Sequence, residues 1–342
     1  MTQDARTAVK IDNVSIVFGD HPETALPYMD QGLDRAQVQE KCGQVLGVHN
    51  CTLEINEGEI LVLMGLSGSG KSTLLRGING LNPVVRGAVH VRDGESMVNV
   101  TKASSSDLRH IRRKSLAMVF QQFGLLPWRS VAENVGLGLE LGGMEKKARR
   151  AKVVEQLALV GLSDWADNKV SELSGGMQQR VGLARAFATD APILLMDEPF
   201  SALDPLIRSN LQDELLDLQA TLKRTIVFVS HDLDEAFKIG NRIAIMEGGR
   251  IVQCGTPNEI AANPANAYVE EFVAHSNPLS FLRAKDVMQP GDAPAGFEVG
   301  EDTPVLEFAG QMSKQNMPVA VIRNGERVGL VTPNSLLGNL LT

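Results

Sequence analysis

The chain has 342 residues, of which 43% are hydrophobic and 22% are charged. That apolar fraction is typical of folded soluble proteins and excludes a chain that is disordered as a whole. A formal net charge of −8 argues against nucleic acid as the main partner, because affinity for a phosphate backbone comes from Lys and Arg. The cysteines Cys42, Cys51 and Cys254 are too few and too irregularly spaced for a disulfide framework or a zinc site. We therefore expect buried thiols in a reducing compartment.

The sequence offers no segment suited to crossing a bilayer. Its longest apolar runs have the length of strands, whereas a membrane-spanning helix needs about 18 apolar residues. The opening residues MTQDART lack the apolar core of a secretory signal. These patterns predict a soluble cytoplasmic protein, and its length favours two domains or one large domain with a small appendage.

The N-terminal part predicts a strand, an insertion and a second strand. The first strand covers residues 9–18, and strand signals resume at residues 51–55. Residues 20–46 form the insertion, where Pro22, Pro27 and Gly32 interrupt regular structure and a short helical pattern ends at Gly43.

The central part predicts a parallel sheet covered by helices. Short apolar runs recur without alternation, which is typical of strands buried on both faces. These runs are residues 60–64, 116–120, 193–196 and 225–229. Helical spacing occupies residues 131–160 and 174–190 between them. A hairpin is indicated further on, where two strand-like segments flank Glu247-Gly248-Gly249.

The C-terminal part changes character from about residue 280. Asn277-Pro278 and residues 289–296 are typical of a linker or loop. A helical pattern over 303–315 is followed by strands at 319–322 and 328–331, which flank a turn at 323–326. We interpret this unit of about 60 residues as an accessory domain, of marginal size for independent folding.

A glycine-rich loop carries the strongest chemical signal. It follows an apolar strand, precedes a helical stretch and reads Gly65-Leu66-Ser67-Gly68-Ser69-Gly70-Lys71-Ser72-Thr73. Such a loop directs backbone N–H groups, a helix N-terminus and the Lys71 ammonium at phosphate groups, while the Ser72 hydroxyl can ligate Mg²⁺. The alternative is a glycine-rich turn with a surface lysine, which the flanking strand and helix disfavour.

Two carboxylates follow the apolar strand at 193–196. Because ligands bind beyond the carboxyl ends of parallel strands, Asp197 and the glycine-rich loop should lie at the same edge. Asp197 can hold Mg²⁺ through water, and Glu198 can act as the general base for an attacking water. Without the loop, such an acidic pair would be read as solvated surface.

A second candidate for anion binding begins at Ser174. This residue is a predicted N-cap, and Gly175-Gly176 exposes backbone N–H groups at the head of a helix. A second such feature is redundant within one site, which suggests a site shared between two chains. An ordinary capped helix is the alternative.

With these motifs in order, the sequence resembles the ATP-binding subunits of ABC transporters over residues 8–275. Leu173-Ser174-Gly175-Gly176-Met177-Gln178-Gln179 matches the family signature, and Val119-Phe120-Gln121 precedes it. Ser201-Ala202-Leu203-Asp204 follows the acidic pair, and His231 follows an apolar strand.

The resemblance implies a role for each matched residue. Gln121 would reach the metal and the attacking water, with Gln122 as the alternative amide. His231 would contact the γ-phosphate, and Asp204 would lie in a loop at a dimer interface. Phe18 would stack on adenine, unless it belongs to the core. Ser174, Gly175, Gly176 and Gln178 would act on ATP held by a partner chain, within a head-to-tail homodimer that encloses two MgATP.

The resemblance also implies the architecture. The fold would be an α/β P-loop NTPase of ABC type, with a mostly parallel sheet and an antiparallel N-terminal β part. Residues 1–275 would form the ATP-binding domain, with a helical subdomain at 122–190. Residues 276–342 would hold a linker and a single α+β unit resembling a cystathionine-β-synthase (CBS) repeat. Such repeats form ligand clefts in pairs, so this one would pair with a second copy or be structural.

Narrower resemblance points to uptake ATPases for glycine betaine/proline and choline. It rests on the insertion, on Met64 to Gly70 with Leu66, and on the stretches Phe200 to Arg208 and Ser230 to Ala236. The expected function is ATP hydrolysis that drives import of a quaternary ammonium compound. Import of another small solute, such as an amino acid, is the alternative.

The implied partners are a membrane permease and, indirectly, an extracytoplasmic substrate-binding protein, with the chain at the cytoplasmic face of the inner membrane. Contact with the permease would run through residues 121–131, where Phe123, Leu125, Leu126 and Trp128 are apolar. The alternative is that these side chains form core between two lobes.

Overall fold

The computed structural model describes residues 6–121, 124–201, 203–274, 282–291, 295–315 and 317–340, with only the backbone given for 337–340. The chain divides into two compact units. The first comprises residues 1–231 and 244–252, and the second comprises residues 232–243 and 253–342. The expected division at residue 275 stays a prediction.

Within the described residues, ten strands precede residue 256. They are β1 (Thr7–Phe18), β2 (Val45–Asn56), β3 (Ile60–Met64), β4 (Arg86–Asp93), β5 (Ser96–Asn99), β6 (Leu116–Val119), β7 (Ile193–Asp197), β8 (Thr225–Val229), β9 (Arg242–Glu247) and β10 (Arg250–Gly255).

Twelve helices precede residue 275 in the described part of the chain. They are α1 (Leu26–Asp30), α2 (Arg35–Cys42), α3 (Lys71–Ile78), α4 (Ser105–Lys114), α5 (Val131–Val135), α6 (Leu137–Leu141), α7 (Lys146–Leu159), α8 (Gly175–Ala188), α9 (Pro205–Leu222), α10 (Leu233–Ile239), α11 (Pro257–Ala262) and α12 (Ala267–Ala274).

The strands form one antiparallel and one mostly parallel sheet, as the sequence predicts. The antiparallel sheet has the order β2-β1-β4-β5, and the larger sheet has the order β10-β9-β3-β8-β7-β6. Strands β3, β8, β7 and β6 run parallel, and every residue of β3, β7 and β8 is buried. Their uniform apolar character follows from burial on both faces.

The start of the second strand was predicted too late. It begins at Val45 rather than Cys51, because Val45 and Leu46 already pair with Phe18 and Val17 of β1. The inserted segment therefore ends at residue 44, two residues earlier than expected.

The insertion is anchored to the antiparallel sheet. The side chains of Ala25, Met29 and Val38 are buried in one cluster with Val17 and Leu46 of the sheet. Asp34 caps α2, and Gly43 ends this helix in the left-handed conformation (φ 70°) that glycine adopts without strain. The Arg86 guanidinium donates to both carboxylate oxygens of Asp30.

The helical spacing predicted over 131–160 is confirmed, although it does not form one continuous helix. It divides into α5, α6 and α7, with breaks at Gly136 and at Gly142-Gly143. Gly143 has φ 77°, which a helix does not accommodate. These helices pack with α8 around a separate apolar core. The predicted helix at 174–190 is confirmed as α8.

The apolar side chains in the loop before α5 were expected either to contact a partner or to form core, and they differ in burial. Leu125 packs against the helical core, whereas Trp128 is 68% exposed. The buried amide of Asn134 accepts from the Leu126 N–H and donates to the Leu126 and Ser130 carbonyls, which fixes the loop. Phe123 and Gln122 lie outside the described residues.

The C-terminal region is a small α+β arrangement. It comprises α13 (Ala284–Val287), β11 (Phe297–Gly300), α14 (Val305–Gln315), β12 (Val319–Arg323), β13 (Glu326–Val331) and α15 (Pro333–Leu340). β12 pairs parallel with β11 and antiparallel with β13, through a turn at Asn324-Gly325. The predicted helix and hairpin are confirmed, and β11 had not been predicted.

Two expectations from composition can be compared with the structure. Among the described residues, no helix is both long and apolar enough to span a bilayer. The expected burial of the cysteines holds for Cys51 alone, since Cys42 and Cys254 are half-buried. All three carry reduced thiols.

Candidate functional site

The glycine-rich loop joins β3 to α3 in a conformation that needs its glycines. Gly65, Gly68 and Gly70 have φ values of 142°, 78° and 104°. A Cβ atom would lie 2.2 Å from the Met246 carbonyl oxygen at Gly65, and 2.6 Å from the Gly47 carbonyl oxygen at Gly70. The loop can therefore curl tightly and leave the first N–H groups of α3 open to an anion.

Lys71 places its charge over this loop. The side chain is buried, and its ammonium donates to the carbonyl oxygens of Gly65 at 2.7 Å and Leu66 at 3.1 Å. Burial lowers the pKa of the Lys71 ammonium, while the carboxylates of Glu198 and Asp197 act in the opposite direction. The buried Ser69 hydroxyl has no hydrogen-bond partner among the described residues. The Lys71 ammonium suits a phosphate ligand, since it lines the cavity described below.

Ser72 and Asp197 meet where α3 begins and β7 ends. The Ser72 hydroxyl donates to Asp197 Oδ1 at 2.6 Å, and Arg76 donates to Oδ2 at 2.9 Å. Asp197 is completely buried, so the Arg76 guanidinium compensates its charge. Arg76 is a site residue that the sequence analysis missed, although its place one turn after Ser72 on α3 is the signal for it.

Three side chains converge beyond neighbouring strands. Gln121 follows β6, Glu198 follows β7 and His231 follows β8. Gln121 Nε2 donates to Glu198 Oε2 at 3.0 Å, and His231 Nδ1 lies 3.4 Å from the same oxygen. The Glu198 backbone is left-handed (φ 45°), and its N–H donates to the Val229 carbonyl. This turn directs the Glu198 carboxylate toward its two neighbours.

These groups line a cavity of about 620 Å³. Most of the predicted phosphate-binding and catalytic side chains border it. Its lining comprises Phe18, Arg35, Val45, Leu46, Gly47, Ser67, Gly68, Gly70, Lys71, Ser72, Thr73, Gln121, Glu198 and His231. Of the remaining predicted residues, Gly65, Leu66 and Ser69 belong to the loop and Asp197 lies behind Ser72, but none of the four lines the cavity. Arg35 was not anticipated from the sequence.

Phe18 lies at the end of β1, on the rim of the cavity. Its side chain is 38% exposed, so it is not a core residue. Gly47 of β2 leaves room for the ring, since a Cβ atom there would lie 2.8 Å from Phe18 Cε2. An exposed aromatic face beside a polar cavity can stack on a heteroaromatic ring.

The residues of the Ser174 motif lie elsewhere on the first unit. Ser174 is exposed and caps α8 by accepting from the Met177 N–H, as predicted. Gly175 is exposed, Gly176 lies against α9, and Gln178 donates to the Val170 and Leu173 carbonyls. Asp204 is exposed and caps α9. None of these residues lines the cavity.

The side chains of Ser72, Asp197 and Gln121 have the donor atoms that a magnesium ion requires. A hydroxyl, a carboxylate and an amide are hard oxygen donors of the kind that Mg²⁺ prefers. The described residues contain no group of three or more His, Cys, Asp or Glu that could enclose a metal. An ion here would thus depend on Ser72, Asp197, Gln121 and oxygens from a ligand or water.

Comparison with known proteins gives consistent matches. The sequence profile of the ABC transporter family matches residues 48–201. The chain is 53% identical to the glycine betaine/proline betaine transport system ATP-binding protein ProV of Escherichia coli, over 82% of this chain and 69% of that protein. It is 41% identical to the trimethylamine N-oxide transport system ATP-binding protein TmoW of Ruegeria pomeroyi, over 96% of both.

A solved structure adds a comparison of folds. The ATP-binding cassette MJ0796, in a dimeric post-hydrolysis state bound to ADP and phosphate, superposes with a TM-score of 0.62 at 32% identity. The match covers 73% of this chain and 98% of the cassette.

Proposed function

The chain belongs to the ATP-binding subunits of ABC transporters, and on that premise we propose that its ATP hydrolysis powers import of a quaternary ammonium compound. Choline, glycine betaine and proline betaine are the candidate solutes. The support is the 53% identity to ProV, whose name specifies glycine betaine and proline betaine. The solute would be selected by other subunits, because this chain supplies the energy.

The cavity explains how ATP would be held. The triphosphate lies over the loop from Gly65 to Thr73, where backbone N–H groups and the Lys71 ammonium compensate its charge. Adenine stacks on Phe18 at the other end. The position of the Lys71 ammonium over the loop supports this arrangement.

Hydrolysis is assigned to Glu198, and the convergence of Gln121 and His231 on its carboxylate is the observation that carries the assignment. Glu198 accepts a proton from the attacking water as the water oxygen bonds to the γ-phosphorus in line, while the bond from that phosphorus to the β–γ bridging oxygen breaks and ADP leaves. Gln121 orients the carboxylate and the water. His231, whose Nδ1 lies 3.4 Å from the same oxygen, would contact the γ-phosphate.

Ser72, Asp197 and Gln121 would hold Mg²⁺. The ion would supply positive charge that stabilises the negative charge developing during phosphoryl transfer. Asp197 keeps the Ser72 hydroxyl oriented through their hydrogen bond, and Arg76 fixes the second carboxylate oxygen.

A head-to-tail homodimer would complete the site. Ser174, Gly175, Gly176 and Gln178 of one protomer would close on the nucleotide of the other, with Asp204 in the interface. The exposure of Ser174, Gly175 and Asp204 outside their own cavity supports this, as does the dimeric state of the similar cassette.

A permease would dock beside the helical subdomain, at the cytoplasmic face of the inner membrane. A second cavity of about 360 Å³ lies there, bordered by Leu81, Phe120, Leu137 and Leu141 together with Arg112 and Arg185. Exposed Trp128 lies on the segment expected to contact this partner. A substrate-binding protein would join the assembly through the permease.

Trimethylamine N-oxide is a second candidate solute. The chain matches TmoW over 96% of both proteins, whereas the match to ProV covers 69% of that protein.

We would co-purify the chain with its membrane partner, reconstitute the assembly in liposomes and measure ATP-dependent uptake of labelled glycine betaine, choline, trimethylamine N-oxide and proline. Uptake of the first two supports the proposal, whereas uptake of proline or trimethylamine N-oxide alone contradicts it.

A further inference from the structure

Arg35 brings a positive charge from the insertion to the rim of the nucleotide cavity. It is the first residue of α2, and its guanidinium donates to the carbonyl oxygens of Gly68 and Gly47. Gly68 belongs to the phosphate loop, and Gly47 lies on β2 next to the Phe18 ring. The side chain therefore connects the insertion with both ends of the cavity.

The positive charge of Arg35 has no anionic partner in the part of the chain that the structure describes. No carboxylate among the described residues forms an ion pair with Arg35, and its Nε atom is buried without a hydrogen-bond partner. Partial burial lowers the pKa of the Arg35 guanidinium. A partly desolvated cation that is satisfied only by carbonyl oxygens lacks a counterion, and the cavity that it borders suits a polyphosphate.

The surrounding structure holds Arg35 in place. A Cβ atom at Gly70 would lie 3.2 Å from Arg35 Nη2, and one at Gly249 would lie 2.8 Å from it, so glycines make room for the guanidinium. The insertion is itself fixed by its apolar cluster on β1 and β2 and by the Asp30–Arg86 ion pair. Arg35 thus adds a charge at a fixed position.

We propose that Arg35 is a nucleotide-binding residue, through which the insertion supplies positive charge to the phosphate groups of the bound nucleotide. This inference rests on the nucleotide site proposed above. Charge-assisted contacts of this kind are stronger than neutral ones. The insertion consequently contributes to the affinity of the chain for its nucleotide.

The test measures dissociation constants of ADP and ATP for the full chain by titration calorimetry without Mg²⁺. Arg35→Gln should raise both constants about tenfold, and Arg35→Lys should stay within about threefold of the unaltered chain. Lys41→Gln removes a charge from the exposed last turn of the same helix and should change neither constant. The affinity of the unaltered chain should also fall more steeply with salt than that of Arg35→Gln.

Lys71→Ala separates the two proposals. If Lys71→Ala abolishes binding while Arg35→Gln binds with unchanged affinity and salt dependence, the role of Arg35 is refuted and the site stands. If Lys71→Ala binds ADP normally, the site itself is wrong. If Arg35 had only a structural role, Arg35→Gln would lower the melting temperature of the nucleotide-free chain and leave the salt dependence of nucleotide affinity unchanged. That result would also refute the inference. If Arg35→Gln fails to fold, Arg35→Lys provides the test. A tenfold rise in its dissociation constants for ADP and ATP would overturn a role that depends on charge alone.

Discussion

The Ser72 hydroxyl lies 2.6 Å from Asp197 Oδ1, so the start of α3 and the end of β7 are joined by a short hydrogen bond. Because Arg76 occupies the other carboxylate oxygen, Asp197 is held from two sides by one helix. Ser72 lines the same cavity as Lys71 and Glu198, and Asp197 lies behind it.

Asp197→Asn tests whether this carboxylate supports a magnesium ion. The amide keeps the size of the side chain but removes its charge, so the Mg²⁺ concentration for half-maximal ATP hydrolysis should rise about 10- to 100-fold. Hydrolysis measured across a series of MgCl₂ concentrations checks this. Asp164→Asn, at an exposed position, is the control. An unchanged Mg²⁺ dependence would mean that Asp197 only supports the fold.

Glu198→Gln tests the general base. Its ATP turnover should fall by about 10² to 10⁴, because the amide cannot accept the proton, while ATP binding is retained. Single-turnover hydrolysis and equilibrium binding measure the two effects separately. The exposed Glu40→Gln should hydrolyse at the normal rate. Hydrolysis by Glu198→Gln at that same rate would remove Glu198 from the mechanism.

Ser174→Arg tests the shared site. A large cation at the exposed start of α8 should prevent two protomers from closing on ATP, while nucleotide binding by the monomer is unaffected. Sedimentation in the Glu198→Gln background with ATP measures dimer formation directly. Ser163→Arg provides an exposed control in the same subdomain. ATP-dependent dimers of the Ser174→Arg chain would contradict the head-to-tail arrangement.

His49 should make stability depend on pH. Burial lowers the pKa of the His49 imidazole from 6.5 to about 4, and the nearby charges of Arg250 and Arg86 act in the same direction. The Asp30 carboxylate acts in the opposite direction. The unfolded chain therefore binds the proton more readily between these values, so stability is lost as the pH falls from about 6.5 towards 4. The loss between pH 7 and 4.5 should be roughly 2 to 3 kcal/mol.

Urea unfolding of the unaltered chain and of His49→Gln at both pH values isolates this contribution. The difference in unfolding free energy between pH 7 and 4.5 should be smaller in His49→Gln. The exposed His21→Gln should behave like the unaltered chain. Equal pH dependence of His49→Gln and the unaltered chain would show that the buried imidazole is not responsible.

The sequence predicts where the side chains of Gln121, Glu198 and His231 lie, because each follows a buried apolar strand, whereas the roles of Gln121 and His231 came from the family resemblance and stay predictions. Buried apolar strands end at Gln121, Glu198 and His231, and parallel strands present their carboxyl ends at one edge. The same logic places Asp197 beside the glycine-rich loop. Only the order of the strands, which makes these three neighbours, had to come from the structure.

Other elements depended on contacts that the sequence does not display. β2 begins at Val45 because β1 lies beside it, and Arg35 reaches Gly68 only once the insertion has packed on the sheet. The β4–β5 hairpin went unpredicted although Asp93-Gly94 at its turn is a recognisable signal. Likewise, Gly136 and Gly142-Gly143 are recognisable sequence signals for the breaks between the helices within 131–160.

Gln121, Glu198 and His231 follow three adjacent strands, so the proposed chemistry depends on the alignment of the sheet. Sliding one strand past its neighbour by a single residue, about 3.3 Å, would separate Glu198 from Gln121 or His231. Any load that shears β6, β7 and β8 should therefore stop turnover while the core is still intact.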